Sequence, residues 1–277
     1  MDAGWPAFAA QVARLALWLA ILAAVFLPLE RWLALRRHPG AARWRAQDIF
    51  YYFANSLLPM LVLAPPLALV AELARAVLPA ALPAGIAGLP LWASLLLALV
   101  VSDFGAYWAH RLAHRWPLLW RFHAVHHSPE HLYFLVNTRA HPVDLLFVRL
   151  CGLLPLYVLG LAGPSAAGSA APLAVVLVGS LWGFFIHSNI RLRLGALEWL
   201  LSTPAFHHWH HSRHDHVDHN YAAMLPLLDR LFGTYYLPSA WPAQYGSDTA
   251  VAPTLARQLA DPLLDGVPRG TQDKSAP

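Results

Sequence analysis

The sequence predicts an all-α fold: a multi-span transmembrane helical bundle of about four to five spans, with a cytoplasmic His-rich helical cap. Three observations predict it. The 277 residues are 58% hydrophobic and 12% charged, against about 25% charged in a soluble domain. Several segments stay apolar over the roughly 20 helical residues that a bilayer core requires. The chain also has 16 His, more than its 15 Asp plus Glu, and gathers them in short tracts. The stretch AFHHWHHSRHDHVDHN, residues 205–220, holds seven of them.

The expected spans lie at about 8–29, 49–71, 88–109, 145–162 and 172–188. The first carries one charge, Arg14, and reads as a retained helix: it lacks the basic start and small-residue cleavage site of a signal peptide. Residues 49–71 and 76–102 contain no charge, and Pro79, Pro83 and Pro90 move the start of the third span to 86–90. Residues 150–190 form one uncharged run, too long for a single span. The turn residues of GPSAAGSAAP, 163–172, divide it. Arg149 stands near the start of the fourth span, where a long side chain can reach the headgroups. A shorter apolar segment of this kind could also be a buried or re-entrant helix. Residues 245–277 read as one short surface helix followed by disorder. The resulting units are 1–85, N-terminal spans with an Arg-rich loop; 86–240, a His-bearing unit; and 241–277, a tail.

Loop charge sets the orientation. Arg31, Arg36, Arg37, Arg43 and Arg45 follow the first span. Arg111, Arg115, Arg121 and Arg139 follow the third, and Arg191 and Arg193 follow the fifth. The connections at 78–88 and 163–172 carry no charge. These asymmetries predict five crossings with the C-terminus in the cytoplasm. They also put the histidines of 110–141, His187 and those of 207–219 on one cytoplasmic face.

The spacings give that face its chemistry. His110 and His114 are four apart, which stacks them on one helix face. His123, His126 and His127 repeat the arrangement, and so do His207, His210 and His211. His208 lies one step round the helix from His207, off that face. One H-x-x-x-H is a weak signal; three boxes on one side of the spans point to a shared metal centre. Eight nitrogen donors suit Fe, Zn, Cu or Ni and do not suit Mg or Ca, and they exceed what one ion can use. The lone Cys151 excludes a disulfide, a Cys-built zinc site and a Cys-held cluster. No Glu-x-x-His pair is present, unlike the carboxylate-bridged ferritin-like sites. A histidine-rich, carboxylate-poor diiron site at the membrane surface is the reading that remains. Asp103, seven residues before His110, lies on about the same helix face. Two readings stay open for it: a hydrogen bond to a ligand His, or a pair with an arginine. Trp108, Trp116, Trp120 and Trp209 read as an interfacial belt with packing around the cap.

The pieces DFGAYWAHRLAH (103–114), RFHAVHHS (121–128), RAHP (139–142), FIHSN (185–189), TPAFHHWHHS (203–212) and LDRLFGT (228–234) together resemble the fatty acid hydroxylase/sterol desaturase superfamily of integral-membrane diiron oxygenases. They span roughly half of the chain. The resemblance implies that His110, His114, His123, His126, His127, His207, His210 and His211 ligate metal, and it adds His187. It implies two Fe ions, with Zn as a possible substituent. His141 and Asn220 are weaker candidates for orienting ligand imidazoles, grouped with Asp103, His208 and His219. This chain has Gly183 where some members carry a further His, and Ala222 where a Gly often follows Asn-Tyr. His131, His214, His216 and His219 read as exposed polar residues rather than ligands.

The implied activity is hydroxylation or desaturation of a membrane lipid (fatty acyl, sterol or isoprenoid-like) with O2 and externally supplied electrons. The substrate passage is expected between spans three to five, lined by Leu, Val and Ala. The chain has no G-x-G-x-x-G fingerprint, no cysteine set and no His outside the three tracts except His38. The electron donor is therefore expected to be separate, ferredoxin- or cytochrome-type with its reductase, with the basic surface as one possible dock. Nothing points to nucleic acid. The expected location is an integral membrane protein with a cytoplasmic catalytic face, in the inner membrane if the source is bacterial. Two rivals stand beside this: a non-oxygenase membrane protein that binds or transports zinc or another divalent metal, and a metal-dependent membrane hydrolase. A transporter places its ligands within the spans, and the span middles here lack acids and His.

Overall fold

The structure, a computed structural model, describes residues 4–37, 46–162 and 166–264. Among these it is helical, with two isolated bridges and no strand. His38, Arg43, Arg45, part of the expected turn at 163–172 and the tail beyond 264 lie outside the described residues.

Helix α1 (Gly4–Trp32) is the first apolar segment. The second expected span is a broken one: α2 (Ala46–Val62) and α3 (Ala64–Val77) meet at a 41° bend. Pro65 and Pro66 open α3; each lacks an N–H, and its ring excludes the carbonyl four residues back. A short α4 (Ala81–Ala87) fills the proline-rich link, and α5 (Leu91–Arg115) starts directly after Pro90. Then come α6 (Pro117–His127), a 3-10 turn at Phe134–Thr138, α7 (Pro142–Val158) and α8 (Ala166–His187). The remaining helices α9 (Pro204–His210), α10 (Leu227–Leu231) and α11 (Leu255–Ala260) are short.

Three helices are long and apolar enough to cross a membrane, Trp5–Trp32, Leu91–Arg115 and Ala170–His187, or four if the bent pair is one span. The sequence reading has five. The difference is α7, whose 17 residues extend about 25 Å at 1.5 Å per residue, short of a core of about 30 Å.

α5 is the spine, packed against α6, α7 and α8. It lies tightly against α7 at Gly105, where a Cβ would collide with the Cys151 carbonyl. On the other side Leu22, Phe26, Tyr52, Phe134, Leu135 and Phe184 form a buried cluster. It clamps the 3-10 turn between α1, α2 and α8. Ala34 bridges Ile190, and Glu30 accepts the N–H groups of Phe134 and Asn189. These contacts join the ends of α1 and α8. α1, α5 and α8 thus end at the His-bearing face, while α2 and α7 start from it.

Candidate metal centre

All nine sequence-derived ligand candidates converge at this face. They divide into two groups, each with its donor atoms within 4.8 Å of one another. His110, His114, His123, His127 and His210 form one group; His126, His187, His207 and His211 form the other. Each group draws on distant parts of the chain. Proline at the first turn of α6 and α9 fixes where those helices start, and Thr203 caps α9 through the Phe206 N–H. The groups touch: the His127 ring stacks on His211 at 4.5 Å between centroids.

The hydrogen bonds at the back of each ring decide what the front can do. Nδ1 of His110 meets the Tyr221 carbonyl at 2.8 Å, and Nδ1 of His210 meets the His219 carbonyl at 2.8 Å. Nδ1 of His126 faces the Arg139 carbonyl at 3.0 Å, and Nδ1 of His187 faces the Gly183 carbonyl at 2.7 Å. Nδ1 of His123 lies 3.0 Å from both oxygens of Asp144. A carbonyl or carboxylate only accepts, so these five rings carry their proton on Nδ1 and present a bare lone pair at Nε2.

Those lone pairs point at one another. The Nε2 atoms of His110 and His123 are 3.1 Å apart, and those of His126 and His187 are 3.2 Å apart. With the ring proton already on Nδ1, neither contact is a hydrogen bond between neutral imidazoles. Nε2 of His114 and of His210 are buried without any partner. A cation between the nitrogens resolves the conflict: a metal–nitrogen bond of about 2.1 Å puts neighbouring octahedral donors about 3 Å apart. The donor set therefore fits two metal ions.

Burial keeps the rings neutral. It lowers His126 to about 4, with His123 adding to the effect, and holds His127, His207, His210 and His211 well below the ordinary imidazole value. Neutral imidazole is the form that ligates.

Other candidates fall elsewhere. Asp103 does neither thing expected of it: its two oxygens accept the N–H groups of Met224 and Leu225 and hold the 222–226 loop. His141 caps α7, accepting the Val143 N–H at Nδ1 and facing the Leu259 carbonyl at Nε2. His208 sits behind α9 between the Tyr245 hydroxyl and the Ser188 carbonyl. Asn220, in a left-handed conformation that Asn tolerates, binds the Phe206 and Tyr236 backbones. His219 contributes its carbonyl to His210, not its ring. His131, His214 and His216 are exposed, outside both groups.

Two acidic residues escaped the sequence reading. Asp144 orients His123, and Asp218 lies 3.5 Å from Nδ1 of His114. Segment 218–221 thus stands behind three rings of one group. Asp229 fixes that segment by accepting from the Tyr221 and Ala222 N–H groups and from the Thr234 hydroxyl. Gly233 follows α10 in the left-handed conformation, which glycine adopts without strain at a helix C-terminus. Trp120, read as belt, lies against the site, 5.0 Å from His114.

A cavity of about 270 Å³ opens onto both groups, touching His110, His123, His126, His187 and His207. It runs between α2, α5, α7 and α8, so the first unit contributes wall as well as spans three to five. Arg149 lines it rather than reaching outward to headgroups.

A fatty acid hydroxylase family model matches residues 95–234, half of the chain. Among curated relatives, the ornithine lipid hydroxylase OlsE of Rhizobium tropici is 38% identical over 183 residues, 63% of this chain and 51% of that protein. The alkylglycerol monooxygenase of Danio rerio is 38% identical over 50% of this chain and 30% of its own. The methylsterol monooxygenase 2-2 of Arabidopsis thaliana is 28% identical over 53% of this chain and 55% of its own. The match thus spans about half or less of each relative's length. No solved structure matches significantly. With this family match over the same residues that carry the nine converging imidazoles, the chain belongs to the fatty acid hydroxylase family.

Proposed function

We propose that the protein is a membrane-bound diiron oxygenase that hydroxylates or desaturates a lipid, using O2 and electrons from a separate carrier. The observation that carries this reading is the pair of converging imidazole groups at the end of a cavity that runs into the helical bundle. The named activities of the relatives, lipid and sterol oxidations, support it.

In this reading His110, His114, His123, His127 and His210 hold one iron, and His126, His187, His207 and His211 hold the other. Bound iron supplies the O2 chemistry that cleaves an unactivated C–H bond. The protein supplies the rest. Asp144 and the carbonyls of Arg139, Gly183, His219 and Tyr221 keep Nδ1 of His123, His126, His187, His210 and His110 protonated and their Nε2 aimed inward. Trp120 and the buried faces of α6 and α9 shut water out of the donor cluster. Leu145, Val148, Leu153 and Val175 give the cavity its apolar wall, where a lipid chain can lie with its reacting carbon next to the centre. The catalytic unit comprises about 86–240, with α2 completing the cavity. The His-bearing face is cytoplasmic, since the Arg-rich segments lie at that end. Zinc can occupy the same donors without supporting oxidation.

The test is metal analysis of the purified protein together with oxygen uptake on a lipid extract and a reductant, followed by lipid profiling of cells with and without the protein. Iron near two per chain, lipid-dependent uptake and a lipid shifted by the mass of one oxygen or of two hydrogens are expected. A protein that holds only zinc and consumes no oxygen after iron loading overturns the reading.

A further inference from the structure

We infer that Arg149 is an anion-binding residue inside the lipid cavity, pairing with a carboxylate or phosphate of the substrate. The consequence for which carbon is oxidised rests on the oxygenase reading above; the binding claim rests on the cavity.

Arg149 is on α7 and lines the same cavity as His110, His123 and His126. Among the described residues its guanidinium makes no hydrogen bond or ion pair. The acid that lines this cavity, Asp144, and two other buried acids of the bundle are already committed. Asp144 is bound to His123, Asp48 to Arg139, and Asp103 to the Met224 and Leu225 N–H groups. A half-buried cation without a counter-charge is costly, and a charge within a helical bundle marks a substrate or ion route. An anion from the ligand is the missing partner, and a guanidinium fits a carboxylate or phosphate with two parallel hydrogen bonds.

A second group supports this. Asn55, on α2, also lines the cavity; it is 2% exposed, and its Oδ1 has no partner. Its amide nitrogen is bound to the Thr138 and Ala140 carbonyls, which fixes Oδ1 as a free acceptor. The cavity therefore offers one fixed cation and one fixed acceptor above an apolar wall. A lipid whose anionic group stands near an O–H or N–H donor matches that pattern. Arg149 follows Asp144 by five residues, about 7.5 Å along the helix axis. An anion held there keeps the reacting carbon within a few bonds of the polar head, away from the far end of a long chain.

The experiment uses the full chain in neutral detergent with dodecanoate, dodecyl phosphate and dodecanol as probes, and measures Kd by calorimetry. The wild type is expected to bind at least one anion about tenfold or more tightly than the alcohol, the worth of a charged hydrogen bond. Arg149→Gln should remove that preference and leave dodecanol binding and iron content near wild type. Arg149→Lys should retain part of it. Whichever anion is preferred names the headgroup chemistry. Equal binding of all three probes by the wild type overturns the inference, and so does a preference that survives in Arg149→Gln. If that variant does not fold, the anion-to-alcohol ratio in the wild type and Arg149→Lys decides. Oxygen uptake is followed on the same protein after iron loading, with the lipid extract and reductant of the test above. A preference without uptake overturns only the oxygenase reading, and uptake without a preference overturns only this one.

Discussion

Both carboxylate oxygens of Asp144 lie 3.0 Å from Nδ1 of His123, and this buried pair fixes the direction in which His123 presents its other nitrogen. Partners of this kind typically contribute 10- to 100-fold to metal affinity. Asp144→Leu is therefore expected to weaken one ion of the pair by about that factor, while Asp144→Asn, whose carbonyl still accepts, loses less. Iron per chain after dialysis against a graded chelator series checks this. Loss of both ions together, or of neither, contradicts the assignment of His123 to one group.

His126→Ala and His210→Ala remove a donor from different groups. Each is expected to abolish turnover and lower iron content, with membrane insertion unchanged. Spectroscopy of the remaining iron should differ between the two variants, because each retains a different site. Wild-type iron content in both would remove these residues from the ligand set.

Acid should destabilise the His-bearing cap. Burial and its neighbour His123 lower His126 to about 4, and burial lowers His208 to about 3. In the unfolded chain an imidazole titrates near 6.5. Between those values the unfolded chain binds protons that the folded chain refuses, so falling pH favours unfolding. The stability from each neutral ring is fully present above about pH 6.5 and is lost as pH falls through the folded value, at up to about 1.4 kcal/mol per pH unit. Metal should leave in the same window, because protons compete for the donors. A Tm series from pH 8 to pH 4 is expected to be flat at first and then to drop. A Tm that rises on acidification contradicts the burial of these rings.

Gly183 combines two constraints. Its carbonyl faces Nδ1 of His187, and a Cβ there would collide with the Asn137 side chain. Gly183→Ala is expected to cost about 1–3 kcal/mol by overpacking and to lower metal occupancy in the four-His group. The double variant Gly183→Ala with Asn137→Ala should recover most of both losses. Failure to recover would mean that the space beside Gly183 is not what the glycine serves.

Three of the expected spans and the nine converging imidazoles were legible, the spans by apolar length and the imidazoles by their period. Apolar length marks the first, third and fifth spans, and offsets of three and four put His123, His126 and His127 on one side of α6. Spacing does not say which ion each ring serves. His127 joins His123 because both face His110 and His114 of α5, while His126 faces His187 of α8 together with His207 of α9 and His211 just after it. Asp144 gave no signal, since one acid 21 positions from its partner has no periodicity, and the carbonyls behind the other rings carry no residue identity at all. Asp103 was misread for the reverse reason. It lies at the helical spacing that suits a ligand partner, yet the 222–226 loop folds over it and offers two N–H groups first. For α7, an apolar run could not separate a full crossing from a 17-residue helix.

Nine imidazoles gathered into two tight groups have a meaning for the life of the protein in a cell. Without its ions the cap holds its own repulsion, so chains made during iron starvation should open more often and be degraded sooner. Scarcity would then act on the number of surviving molecules before it acted on the turnover of each one. Pulse-chase half-lives under chelation, compared with those of a neighbouring membrane protein that needs no metal, would reveal it.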